Sequence, residues 1–125
     1  MTPLRRNKIL IVNDARTAST YIQMMLKSAS YETQIAENGI EAIKYLDLFH
    51  FNLIITDLNM PEMDGFELTR IIRAREDYRF IPVIFVTAGD GPEVQQKAAE
   101  VGSTAFITFP FTKDRLIKVI RSLIR

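Results

Sequence analysis

Cysteine is absent, so this chain can build neither a disulfide framework nor a thiolate metal site. No apolar run approaches the roughly 18 residues that a membrane-spanning helix requires. The first residues, Met1 to Asn7, are basic but lack the apolar stretch of a secretory signal. They read as a flexible segment ahead of a domain at 8–125. An excess of one charge sign is missing too, since 16 Lys and Arg face 15 Asp and Glu. Nucleic-acid and membrane-surface binders usually carry a strong basic excess, so neither partner is expected. A cytoplasmic protein is the expectation.

The chain does contain apolar segments of two kinds, in alternation. Ile9-Leu10-Ile11-Val12, Leu53-Ile54-Ile55 and Val83-Ile84-Phe85-Val86 are short, continuous and β-branched, as central strands of a parallel sheet are. Glu32 to Ala36 mixes polar and apolar residues like an edge strand, and Ala105-Phe106-Ile107-Thr108 is a fifth candidate. Between these runs, apolar residues recur at helical spacing. Ala18, Ile22, Met25, Leu26 and Ala29 stripe a helix from about Ala15 to Ser28. Ala42, Ile43 and Leu46 mark a second helix, Leu68, Ile71 and Ile72 a third, and Val94, Ala98 and Val101 a fourth. Leu116, Val119, Ile120 and Leu123 mark the last, with Thr112 or Asp114 as its cap. Asn38-Gly39, Asp64-Gly65 and Gly89-Asp90-Gly91-Pro92 read as loops.

Five β-α units in 125 residues predict one α/β domain with a parallel sheet and helices on both faces. The flavodoxin-like (βα)5 strand order 2-1-3-4-5 is the expected arrangement. Its strands one and three are neighbours, and ligands bind where they diverge, outside their carboxyl ends. Asn13-Asp14 follows the first strand, Asp57 the third, and Thr87 ends the fourth. Asp14 and Asp57 are therefore expected to face each other. Two carboxylates so placed repel unless a cation intervenes. Mg²⁺ takes one or two carboxylates, waters and a phosphate oxygen, and the Asn59 carbonyl could add a ligand.

Asp57-Leu58-Asn59-Met60-Pro61-Glu62-Met63-Asp64-Gly65 resembles the phospho-acceptor signature of the receiver domain of two-component response regulators. Pro82 to Ala88 is similar to that family's fourth strand and switch threonine, and Asn38 to Ala42 to the start of its second helix. The likeness runs from Lys8 to Leu123. It implies that Asp57 attacks the phosphorus of a phosphohistidine on a partner histidine kinase or phosphotransfer protein. Mg²⁺ would be held by Asp57, Asp14 and the Asn59 carbonyl, which Asn13 reaches at most through water. Thr87 and Phe106 would act as the switch pair. A downstream protein would read the face formed by the fourth helix, fifth strand and fifth helix.

Two residues depart from the family pattern. Asn13 stands where an acidic residue is usual, and Phe109 where the lysine of a Lys-Pro pair is usual, with Pro110 retained. Each change removes one formal charge, of opposite sign. Two readings follow: a receiver that accepts phosphate at an altered site, or a degenerate receiver that serves as a phosphorylation-independent interaction module. The first is favoured because the acceptor, a direct metal ligand and Thr87 all survive. An enzyme on the same fold is disfavoured, for there is neither a Gly-rich loop after the first strand nor a Cys nucleophile. His50, Arg70, Arg73, Arg75 and Arg79 show no evident chemistry and read as loop and solvated-face residues.

Overall fold

The computed structural model describes residues 6–88 and 91–124. Strands and helices alternate as β1 (Lys8–Val12), α1 (Arg16–Ser28), β2 (Glu32–Ala36), α2 (Gly39–Leu48) and β3 (Leu53–Thr56). The second half continues as α3 (Gly65–Ala74), β4 (Val83–Thr87), α4 (Pro92–Glu100), β5 (Ala105–Thr108) and α5 (Lys113–Leu123). The sheet is parallel, in the expected order β2-β1-β3-β4-β5. Successive strand residues alternate between two cores. Ile9, Ile11, Ile55 and Val86 pack with Ile22 and Leu26 of α1 and Leu116 and Ile120 of α5. Leu10, Val12, Ile54 and Phe85 pack on the other face with Leu46, Leu68, Ile72 and Ala98 of α2, α3 and α4. Burying each large side chain contributes about 1.5–3 kcal/mol. Because both faces are covered, β1, β3 and β4 had to be continuously apolar, and the edge strand β2 did not.

Asn38-Gly39 and Asp64-Gly65, loops by composition, are helix starts, as the family resemblance implied for Asn38. Asn38 caps α2 through its Oδ1, which accepts the Glu41 N–H at 2.7 Å. Asp64 caps α3, accepting from Glu67 N at 2.8 Å. A short polar side chain before a helix satisfies an otherwise unpaired N–H, and this competes with its use in a turn. Of the two caps considered for α5, Thr112 accepts from Arg115 N at 3.1 Å, and Asp114 lies in the first turn. Met1 to Arg5, within the segment expected to be flexible, lie outside the described residues, as do Gly89 and Asp90.

Arg73 is not a solvated-face residue, contrary to expectation. Arg73 is half-buried at the end of α3, and its Nε donates to Gly102 O at 3.0 Å. Its Nη1 donates to Ile81 O at 2.7 Å and Arg79 O at 3.0 Å. The planar guanidinium thereby ties α3 to the segments that precede β4 and β5. Burial lowers its pKa from the usual arginine value. Arg75 pairs with Asp47 at 2.8 Å and Asp77 at 2.9 Å, both at exposed positions where such pairs contribute little. Arg70 and Arg79 are exposed, and the His50 ring stacks on Tyr78 at 6.2 Å. No helix among the described residues is long and apolar enough to cross a membrane.

Replacing Arg73 with Ala should cost about 1–3 kcal/mol, since it removes charged hydrogen bonds to carbonyls that are partly shielded from water. Urea unfolding measures this, and Arg73→Lys should recover only part of the loss because one ammonium cannot span the same acceptors.

Candidate functional site

The site is set by where the strands stop. Val12 lies opposite Thr56 in the β1–β3 ladder, and the Asp57 N–H continues it by donating to Val12 O at 2.9 Å. The register thus sets Asn13 beside Asp57, on strands that run about 4.8 Å apart. Asp14 follows one residue further on. This is the point at which the sheet order reverses and the connections leave β1 and β3 on opposite faces. The carboxylates expected to meet at the switch point are therefore brought together.

Asp57 is half-buried, and its Oδ1 accepts from the Leu58 N–H at 2.8 Å. Burial raises its pKa above the ordinary aspartate value, and the negative charge of Asp14 adds to the rise. The N–H groups of Leu58 and Asn59 act in the opposite direction without cancelling it. Asp14 is exposed, whereas Asn13 is buried and held at three atoms. Its N–H donates to Ala36 O at 3.1 Å, its carbonyl accepts from Ser19 Oγ at 3.2 Å, and its Oδ1 accepts from Ala15 N at 2.9 Å. Asn13, Asp14, Arg16, Glu37, Glu41 and Tyr45 line a cleft of about 300 Å³ between α1, β2 and α2, which Asp57 does not line.

Thr87 is buried at the end of β4, and its carbonyl accepts from Phe109 N at 2.9 Å. The Phe109–Pro110 bond is cis. The Phe109 ring lies 4.7 Å from that of Phe111 and packs with the α1–α5 core. Phe106 sits opposite Phe85 in the β4–β5 register, half-buried against the other core. The two aromatic residues of interest therefore belong to opposite faces of the sheet.

One positioning residue lay inside a quoted motif without being singled out. The Gly65 N–H donates to Leu58 O at 2.8 Å, closing the loop that carries Asp57 and Asn59. A Cβ on Gly65 would collide with the Asp57 carbonyl oxygen and stand 3.1 Å from Leu58 Cα. Backbone, not a movable side chain, fills that space. Sequence could hint at it only through the Asp-Gly pair, which reads equally well as a turn.

A half-buried acidic residue after β3, a second one after β1, and a threonine ending β4 on a 2-1-3-4-5 sheet now stand together. The sequence matches the response regulator receiver domain over residues 9–121. The chain belongs to this family. The chemotaxis protein CheY-3 of Vibrio cholerae is 36% identical over 121 residues, covering 93% of each chain. The structure of CheY4 from the same organism matches with a TM-score of 0.92 at 32% identity, over 96% of this chain and all of that one. The receiver domain of a Pseudomonas aeruginosa sensor histidine kinase superposes with a TM-score of 0.88 at 28% identity, covering 95% and 98%. That structure has a magnesium ion coordinated in its active site cleft.

Receiver domains typically bind Mg²⁺. Among the described residues no group of three or more His, Cys, Asp and Glu side chains is placed to hold a metal. A site with so few acidic side chains suits an ion that keeps most of its waters. Burial and the Asp14 charge both disfavour the ionised form of Asp57, and a cation would offset this.

Two outcomes follow from this geometry. Gly65→Ala should destabilise the fold by about 1–3 kcal/mol, as overpacking against backbone does, and should displace the Asp57 and Leu58 amide resonances. Asp57 holds its proton more tightly folded than unfolded. Its contribution to stability is therefore full below the unfolded pKa and is lost as pH rises through the raised, folded pKa. Asp57→Asn should accordingly be more stable than the parent at neutral pH without Mg²⁺, and the gap should close on acidification. Parallel unfolding curves at all pH values would show that burial of Asp57 costs nothing.

Proposed function

We propose that the chain is a phospho-accepting receiver in a cytoplasmic two-component relay, with Asp57 as the acceptor. The observation that carries this reading is the carboxylate of Asp57, half-buried at the switch point beside Asp14 in a chain of this family. A carboxylate oxygen of Asp57 forms a bond to the phosphorus of a phosphohistidine on a histidine kinase or phosphotransfer protein. The P–N bond breaks, and the imidazole nitrogen keeps the electron pair and takes a proton from solvent. Phosphoryl transfer of this kind depends on positioning and on offsetting charge more than on covalent help from side chains.

Asp14, Asp57 and the Asn59 carbonyl would hold Mg²⁺, which when bound offsets negative charge on the phosphoryl oxygens. The Leu58 N–H fixes one Asp57 oxygen. Thr87 would donate its hydroxyl to a phosphoryl oxygen, and Phe106 would repack as it moves. That change would be read by a downstream protein on α4, β5 and α5.

One observation supports the degenerate alternative. Phe109 occupies the usual lysine position and turns its ring into an apolar cluster with Phe111, so no cation is supplied there. A hydrogen bond to a charged group contributes about 1.5–3 kcal/mol, or one to two powers of ten. Incubation with acetyl phosphate and Mg²⁺, followed by intact mass, should show one acid-stable, base-labile phosphoryl group, absent from Asp57→Asn. Phe109→Lys should raise its yield by about tenfold or more. A parent chain that never gains the group would leave the interaction-module reading in place.

A further inference from the structure

We propose that Asn13 is a hydrogen-bond donor to the phosphoryl group on Asp57, taking over part of the work of the missing lysine. The inference rests on Asp57 being the acceptor and assigns Asn13 to anion recognition instead of the ion's water shell. Four observations carry it. The β1–β3 register sets Asn13, not Asp14, level with Asp57. In a parallel pair, residues in register project to the same side of the sheet.

The amide can also be oriented without ambiguity. A backbone N–H donates only to oxygen, and Ala15 N lies 2.9 Å from Oδ1, so the other branch of the side chain is the NH₂. That Nδ2 donates to no group among the described residues. Because no buried side-chain nitrogen or oxygen lacks a partner there, it is open to solvent.

The group is held in place as well as unused. Bonds to Ala36 O and from Ser19 Oγ fix the Asn13 backbone, and the Ala15 N–H fixes the side chain. A donor so restrained needs little reorganisation when an anion forms next to it. Finally, the usual lysine position supplies no cation, because Phe109 packs against Phe111 there. An aspartate at position 13 would offer a phosphoryl oxygen only repulsion. The amide offers two N–H bonds, and the exchange of acid for amide becomes a gain for the anion at the expense of the cation.

The test uses isotope-labelled protein with Mg²⁺ and beryllofluoride, which stands in for a phosphoryl group on a carboxylate. Mg²⁺ alone should shift the Leu58 and Asn59 amides and leave the Asn13 side-chain NH₂ pair nearly still. Beryllofluoride should then move that pair downfield. Asn13→Ser keeps an oxygen for Ala15 but lacks the amide, and should lower acyl-phosphate yield at saturating Mg²⁺ by about tenfold with Mg²⁺ affinity unchanged. Asn13→Asp should tighten Mg²⁺ and still lower the yield. A response at Leu58 with a silent Asn13 pair overturns the inference alone, as does Asn13→Asp raising both affinity and yield. Silence at Leu58 and Asn13 together overturns it along with the assignment of Asp57.

Discussion

The site depends on a carboxylate that the fold takes partly out of water. Asp57 follows a strand buried along its whole length, so its backbone is committed before its side chain reaches solvent. The loop behind it is closed by Gly65, whose lack of a Cβ lets α3 start directly against the Asp57 carbonyl. The resulting desolvation disfavours the charged form, and the nearby Asp14 charge adds to this. Such an arrangement costs stability when nothing is bound and favours whatever offsets negative charge at that point.

Asn13 and Phe109 belong to this same balance. The family pattern that the chain resembles uses an acidic residue at the first position and a lysine at the second. Here the first has become an amide locked into the start of α1, and the second an aromatic residue absorbed into the α1–α5 core. Both positions are tied into the sheet through their backbones: Phe109 N bonds Thr87 O, and Asn13 N bonds Ala36 O. What changes is the set of groups presented to a ligand, with fewer formal charges and more neutral dipoles. The arginines show the converse. Arg73, unremarkable as one of several basic residues, is a tie between three segments far from the site.

Much of the architecture was legible in the chain. Runs such as Ile9–Val12 and Val83–Val86 are apolar at every position, which only a strand covered on both faces requires, and the helical stripes between them supply the covers. Asp57, Asp14 and Thr87 could be named because strand ends in such a sheet converge on one edge. By composition the Asn38-Gly39 and Asp64-Gly65 pairs read as loops, because the same side-chain oxygen can serve a turn or a helix cap, and only the resemblance placed Asn38 at a helix start. Arg73 was misread because nothing local distinguishes a buried guanidinium from an exposed one.

By itself, then, the order of residues determined the alternation of strands and helices, the strand order and the identity of the acidic pair, since each follows from periodicity and connection rules that act over short stretches of chain. Tertiary structure alone decided that Asn13 stands level with Asp57 and that Phe109 packs against the α1–α5 core. Both outcomes depend on register and packing between segments far apart in the chain, which no local pattern encodes.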